Sequence, residues 1–249
     1  MSNEMNFNNK LEMDLKEKET EIIEPPKIPR IIYTFWTGDN PIPYNRQKAL
    51  DCLKKISSIE VILITKKDIK NWILPDHPFH PGYEYLSEVH KADFLRTYFM
   101  NFYGGGYCDI KCISEDWSGY FDITEKDPEA WICGYKEIPY GVAYKPFNDK
   151  WNELIGNGAY ICRKQTPLTI EWYAEMVSFL DGKLEDLIKY PAKHPYDSKD
   201  FGDGRYWGVK TGYPIEWNEM LGRIFHRISY KYKEHLLRIL PGFPQIAYR

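Results

Sequence analysis

Neither sign of charge dominates this sequence: 33 Lys and Arg stand against 36 Asp and Glu, a formal net charge of −3 over 249 residues. That balance argues against a nucleic-acid partner, because holding a phosphate backbone needs a strong basic excess. No apolar run approaches the roughly 18 residues needed to cross a bilayer, and the opening residues MSNEMNFNNK lack the apolar core of a secretory leader. The expected location is therefore cytoplasmic, soluble or peripheral to a membrane. Cysteine is scarce: Cys52, Cys108, Cys112, Cys133 and Cys162 form an odd set without a C-x-x-C pair. Reduced buried thiols are expected, rather than a disulfide framework or a zinc knuckle. There is no P-loop, no Rossmann glycine fingerprint and no G-x-S-x-G nucleophile elbow. His77 and His80, in the proline-flanked stretch HPFHP, describe a structured loop better than a zinc site.

What is present is a globular composition, 43% hydrophobic and 28% charged, of a length suited to one large domain. Aromatic residues make up 16%, including 20 Tyr and 8 Trp. Their flat amphipathic rings suit stacking on sugar or base faces, although core packing accounts for many of them equally well. Residues 1–24 hold seven acidic and three basic side chains before Pro25 and Pro26. They read as a flexible acidic tail, and the rest of the chain, residues 25–249, as one slightly basic domain.

The hydrophobic pattern predicts strands over residues 30–36, 60–64, 107–113, 130–135 and 158–163. It predicts helices over 43–56, 66–73, 83–102, 167–180, 216–226 and 229–240. Alternation of this kind gives an α/β fold, a sheet flanked by helices. Residues 190–214, rich in Gly, Pro, Tyr and Asp, read as a long functional loop. The closing segment carries Arg223, Arg227, Lys231, Lys233 and Arg238 among apolar residues. Basic helices there are candidates for peripheral membrane contact, with packing of their apolar side on the domain as the alternative.

The stretch HKADFLRTYFMNFYGGGYCDIK, residues 90–111, concentrates the chemistry. Asp93 and Arg96, three apart on a helix, share one face, so a carboxylate and a guanidinium stand side by side. Gly104, Gly105 and Gly106 turn the chain into a strand on which Asp109 and Lys111 point the same way, about 7 Å apart. The carboxyl edge of an open α/β sheet is where such folds bind ligands. Asn157, between Gly156 and Gly158, is either a ligand contact or part of a Gly-Asn-Gly turn.

This order of Asp93, Arg96, Gly105-Gly106-Tyr107 and Asp109 resembles glycosyltransferase family 32 and the related capsular polysaccharide synthesis proteins, which carry a sugar-binding D-x-D motif. IPRIIYTFWTG, from Ile28, is similar to that family's first strand, and TGYPIEWNEML, from Thr211, to its late T-G-P element with Tyr213 inserted. The resemblance implies a GT-A fold, a single domain with a Rossmann-like mixed sheet flanked by helices. It implies transfer of a monosaccharide from a nucleotide-sugar donor, UDP-linked rather than GDP-linked, to a hydroxyl of a glycan, glycoprotein or glycolipid acceptor, with retention of anomeric configuration. Asp93, Arg96 and Asp109 would be catalytic. Thr34, Phe35 and Trp36 would line the base pocket, and Gly105, Gly106, Tyr107, Lys111 and Asn157 would complete the donor site.

Tyr206 and Trp207, in the segment DGRYWG that could close over the site, would stack on the acceptor or pack within their loop. The family also implies Mn2+ or Mg2+, with Asp109 as a ligand. Here the second Asp of the motif is replaced by Lys111, which leaves two readings. Either the ammonium stands where the ion would sit, or Asp109 keeps the ion with Asp203 or His226 as further ligands; Asp116 is another candidate. The alternative from another class is a catalytically inactive nucleotide-sugar or carbohydrate-binding module of the same fold.

Overall fold

The computed structural model describes residues 26–201 and 211–243. The expected acidic tail lies outside them, as do Asp203, Tyr206 and Trp207. Six strands form one sheet in the order β2-β1-β3-β5-β4-β6. They are β1 (Ile31–Trp36), β2 (Glu60–Thr65), β3 (Gly105–Cys108), β4 (Ile132–Lys136), β5 (Ile155–Cys162) and β6 (Leu236–Leu237). β1 runs parallel to β2 and β3, whereas β5 is antiparallel to both β3 and β4, and β4 is parallel to β6. The expected α/β class, a mixed sheet flanked by helices, is the architecture observed.

The helices are α1 (Tyr44–Ile56), α2 (Glu88–Phe102), α3 (Ser118–Lys126), α4 (Pro167–Lys189) and α5 (Gly222–Lys231). Alternation along β1 sends Tyr33 and Phe35 to one face, where they join Phe94, Tyr98 and Phe99 of α2 and Trp172 and Met176 of α4. Ile32 faces the other way, into a second cluster with Leu53 of α1 and Trp117 and Phe121 at α3. Each fully buried aromatic or aliphatic side chain in these layers contributes about 1.5–3 kcal/mol of hydrophobic stabilisation. On α2, His90 and every residue from Asp93 to Asn101 are buried. A helix enclosed on most sides must satisfy any charge it carries internally.

Two glycines set the passage from α2 to β3. Gly104 and Gly105 have φ of 70° and 91°, left-handed values that side-chain-bearing residues avoid. A Cβ on Gly105 would also lie 2.9 Å from the Ile31 carbonyl oxygen, so β1 and β3 close up only because none is there. At α4, Pro167 follows the N-cap Thr166, whose side chain and that of Thr169 form a reciprocal capping box.

Several expected boundaries move. The helix over 66–73 is a single 3-10 turn, Ile69–Trp72, and the helix over 83–102 is broken by extended Leu86 and Ser87 into the 3-10 turn Pro81–Tyr85 and α2. The helix begun at Pro167 continues to Lys189, and α3 forms where the sequence pattern predicted no element. The strand expected over 107–113 ends at Cys108, because the Lys111 N–H donates to the Asp109 carbonyl at 2.6 Å in a tight turn. At the end of the chain the expected pair of helices is one helix, α5, then a 3-10 turn and β6, since Leu236 and Leu237 pair with Ile132 and Cys133.

The basic side chains of that closing segment are engaged within the chain. Arg223 meets Glu216, Arg227 meets Glu175, Lys231 meets Glu171, Lys233 meets Glu153, and Arg238 donates to the Glu153 carbonyl. Among the described residues no helix is long and apolar enough to cross a membrane.

The cysteine expectation is corrected in part. Cys52 on α1 and Cys112 just beyond β3 form a disulfide, with Cα atoms 5.2 Å apart, inside the usual range for such a bond. Cys108, Cys133 and Cys162 are free and buried, as expected. Thiol titration of the unfolded, unreduced protein is therefore expected to find three reactive thiols, and five only after reduction. Five without reductant would show that the bond does not form.

Candidate active site

Asp93 and Arg96 come from one face of α2, and Asp109 from the residue immediately after β3. Register brings them together. β3 pairs with β5 so that the Asp109 N–H donates to the Gly158 carbonyl at 2.9 Å, which places Asp109 beside the middle of β5. Arg96 lies between the acids, 3.1 Å from Asp93 Oδ1 and 3.6 Å from Asp109 Oδ1. Its Nη1 donates to the Asn157 carbonyl at 2.8 Å, and its guanidinium stands 4.6 Å from the centre of the Tyr107 ring. Tyr107 donates its hydroxyl to Asp109 Oδ1 at 2.7 Å. Lys111 reaches Asp109 Oδ2 at 2.9 Å; the turn after Cys108 makes a contact of what an extended strand would have kept about 7 Å apart.

The acids differ in environment. Asp93, its side chain 6% exposed, is pushed up to about 6 by burial, offset by Arg96 and reinforced by Asp109. Burial works in the same direction at Asp109. There the charges of Arg96 and Lys111, with hydrogen bonds from Lys111 and Tyr107, outweigh it and hold the carboxyl below its ordinary value. The Asp109 side chain is 26% exposed, so the accessible carboxylate is also the more firmly ionised one. The linkage to stability has opposite signs. Asp93, raised in the fold, contributes stability below the unfolded value of about 3.9 that is lost as pH rises through about 6. Asp109, depressed in the fold, contributes stability above that unfolded value, lost as pH falls through its lower folded one.

The remaining sequence candidates divide. Phe35 lies beneath the Tyr107 ring, centroids 5.6 Å apart, and is buried, as is Thr34. Of the three β1 candidates only Trp36 is partly exposed, with its Nε1 donating to the Asn40 carbonyl at 2.8 Å. Gly105 and Gly106 are buried against β1. Asn157 joins the cluster through its main-chain carbonyl. His226 is tied elsewhere: Nδ1 accepts from the Ala143 N–H at 3.0 Å, so Nε2 carries the proton and donates to Glu137 Oε2 at 3.1 Å. Asp116 accepts from the backbone and hydroxyl of both Ser58 and Ser118. Those bonds overcome its burial and lower its pKa to about 2.

Two neighbours of Asp109 escaped the sequence reading. The Tyr135 hydroxyl accepts from the Gly158 N–H at 3.3 Å, and Phe243 lies with its ring 4.4 Å from the Lys111 ammonium. Both are distant in sequence from the motif, and only the β4–β5 register and the path of the chain end bring them in. A separate open hollow of about 490 Å3 beside β2, lined by Ile62, Leu63, Ile64, Asp68, Asn71 and Trp72, contains none of the cluster.

Two acids and two bases thus alternate at the carboxyl edge of β3, partly open, with aromatic faces beside them. Such a set can orient a ligand rich in hydroxyls and offset developing negative charge. A family model described as "Capsular polysaccharide synthesis protein" matches residues 3–113, a segment that ends just past Lys111 and includes Asp93, Arg96 and Asp109. The resemblance read from the motif stands on that segment. No curated protein matches the chain. Among solved structures, the "PaToxG Glycosyltransferase" is similar at 13% identity and a TM-score of 0.44, covering 91% of this chain and 76% of that one.

Proposed function

We propose that this chain is a glycosyltransferase with a GT-A-like domain. It moves a monosaccharide from a nucleoside-diphosphate sugar, uridine-linked in preference to guanosine-linked, to a hydroxyl of a glycan, glycoprotein or glycolipid acceptor. The observation that carries the reading is the meeting of Asp93, Arg96 and Asp109 at the carboxyl edge of the sheet, inside the segment matched by the family model. Asp93 and Asp109 accept hydrogen bonds from donor hydroxyls, while Arg96 holds both carboxylates in place. Lys111 supplies positive charge beside the departing diphosphate. Transfer proceeds on the face the diphosphate leaves, so anomeric configuration is retained.

Thermal-shift measurements against a panel of nucleotide sugars test the reading, because a ligand that binds only the folded chain raises its melting temperature by mass action. A specific shift together with slow release of nucleoside diphosphate in the absence of acceptor is expected. A shift without any release would indicate the inactive binding module, and no shift with any donor would overturn the assignment. Donor affinity is also expected to fall as pH drops below about 6, where Asp93 takes up a proton and ceases to be a full acceptor. An Asp93→Asn variant should bind more weakly at pH 7.5 and lose that dependence. An unchanged pH profile in the variant would remove Asp93 from the donor site.

A further inference from the structure

In the chain by itself Asp93 and Asp109 are already paired with the two cations Arg96 and Lys111, so neither carboxylate is left without a counter-charge for a divalent ion to satisfy. Each oxygen of Asp109 already holds one partner, Oδ1 the Tyr107 hydroxyl at 2.7 Å and Oδ2 the Lys111 ammonium at 2.9 Å, which leaves room for a further hydrogen bond from a ligand hydroxyl but sets a cation where a metal would have to approach Oδ2. An ion such as Mg2+ needs oxygen ligands at about 2.0–2.1 Å and would have to displace that ammonium. The described residues contain no group of three or more His, Cys, Asp or Glu side chains able to hold a metal. His226 has both ring nitrogens committed to Ala143 and Glu137. The Mn2+ or Mg2+ that the family resemblance implies does not fit the donor set that the described residues offer.

Lys111 is a fixed part of the cluster. Its ammonium lies between the Asp109 carboxylate and the face of Phe243, and that ring is braced edge-on by Tyr135 at 5.5 Å. The contact with a ring face adds electrostatic attraction to the ion pair. With 18% of the side chain exposed, the ammonium is still within reach of a ligand.

We propose that the Lys111 ammonium takes the place of the divalent cation, so that the chain binds a nucleoside-diphosphate sugar and transfers the monosaccharide without metal. The inference rests on the glycosyltransferase reading above. In the transfer, the bond from the anomeric carbon to the β-phosphate oxygen breaks and its electron pair stays on that oxygen. The acceptor oxygen bonds to the same carbon, and its proton passes to the departing phosphate. The charge gained by the diphosphate is offset by an ammonium already in place, which requires no reorganisation.

The test uses the full chain with UDP and GDP as probes, titrated by calorimetry in EDTA and in manganese chloride. Closely matching affinities in the two buffers are expected for the parent chain. Lys111→Met should weaken binding in EDTA by at least about tenfold, the scale of one lost charge-assisted contact. Lys111→Asp, which restores a second carboxylate, should bind Mn2+ in the presence of nucleotide and remove the free-ion signal in electron paramagnetic resonance. The parent should leave that signal intact. Circular dichroism establishes that each variant is folded, and if Lys111→Asp is not, the parent in the two buffers and Lys111→Met decide. Nucleotide binding by the parent only in manganese overturns the proposal and leaves the glycosyltransferase reading standing. Binding of neither nucleotide in either buffer brings down that reading, and this one with it.

Discussion

Arg96→Met is expected to cost about 3–5 kcal/mol of stability, the scale found when one partner of a buried ion pair is removed. The reason is what Arg96 leaves behind. Its side chain is 10% exposed, and its guanidinium is the charge between Asp93 and Asp109 and the donor to the Asn157 carbonyl. Without it, two carboxylates face each other across the gap and the Asn157 carbonyl loses its partner. Against a total stability of about 5–15 kcal/mol for a typical domain, the loss would be plain in a thermal or urea melt. Its pH dependence is diagnostic: the deficit relative to the parent should shrink as pH is lowered through 6, because protonated Asp93 no longer needs the counter-charge. Arg96→Lys keeps the charge and loses the planar fork, so it should recover much of the stability while still binding donor poorly. A melt of Arg96→Met identical to that of the parent at pH 7.5 would mean that the ion pairs contribute nothing.

Asp109→Asn is expected to leave the fold intact and reduce turnover on the order of 10²–10³-fold, as when one preorganised electrostatic group is removed from an active site. The amide oxygen still accepts the Tyr107 hydroxyl, and the residue is partly exposed, so packing changes little. What is lost is the charge that orients Lys111 and faces Arg96. Release of nucleoside diphosphate under single-turnover conditions measures the effect directly. Parent-like turnover in a folded Asp109→Asn variant would show that the reacting centre is elsewhere.

The sequence carried the strands β1 and β2 and the pairing of Asp93 with Arg96, because both follow from short-range periodicities. β1 is a run of β-branched and aromatic residues, and a helical spacing of three places two side chains on one face whatever they pack against. Contacts settled by closure of the whole chain were not legible. The sharp turn after Asp109 that brings Lys111 onto it has no signature in CDIK. Leu236 and Leu237 fit a helical pattern and become a strand because β4 has an edge to be paired. Cys52 and Cys112 are 60 residues apart, with β2, α2 and β3 lying between them in the chain. The aromatic candidates split for the same reason: Phe35 and Trp36 are adjacent, and only the sheet's two-sidedness decides that one packs under Tyr107 while the other meets solvent.

The close approach of β1 to β3 bears on how any mutational survey of this molecule is to be read. In a saturation library selected for activity, Gly105 should tolerate replacement as poorly as Asp109. A methyl group there meets the Ile31 carbonyl and the left-handed backbone at once, and the strand that aims Asp109 shifts with it. Intolerance at the glycine would then report the spacing of two strands, and assigning it to sugar or phosphate recognition would mistake scaffolding for chemistry.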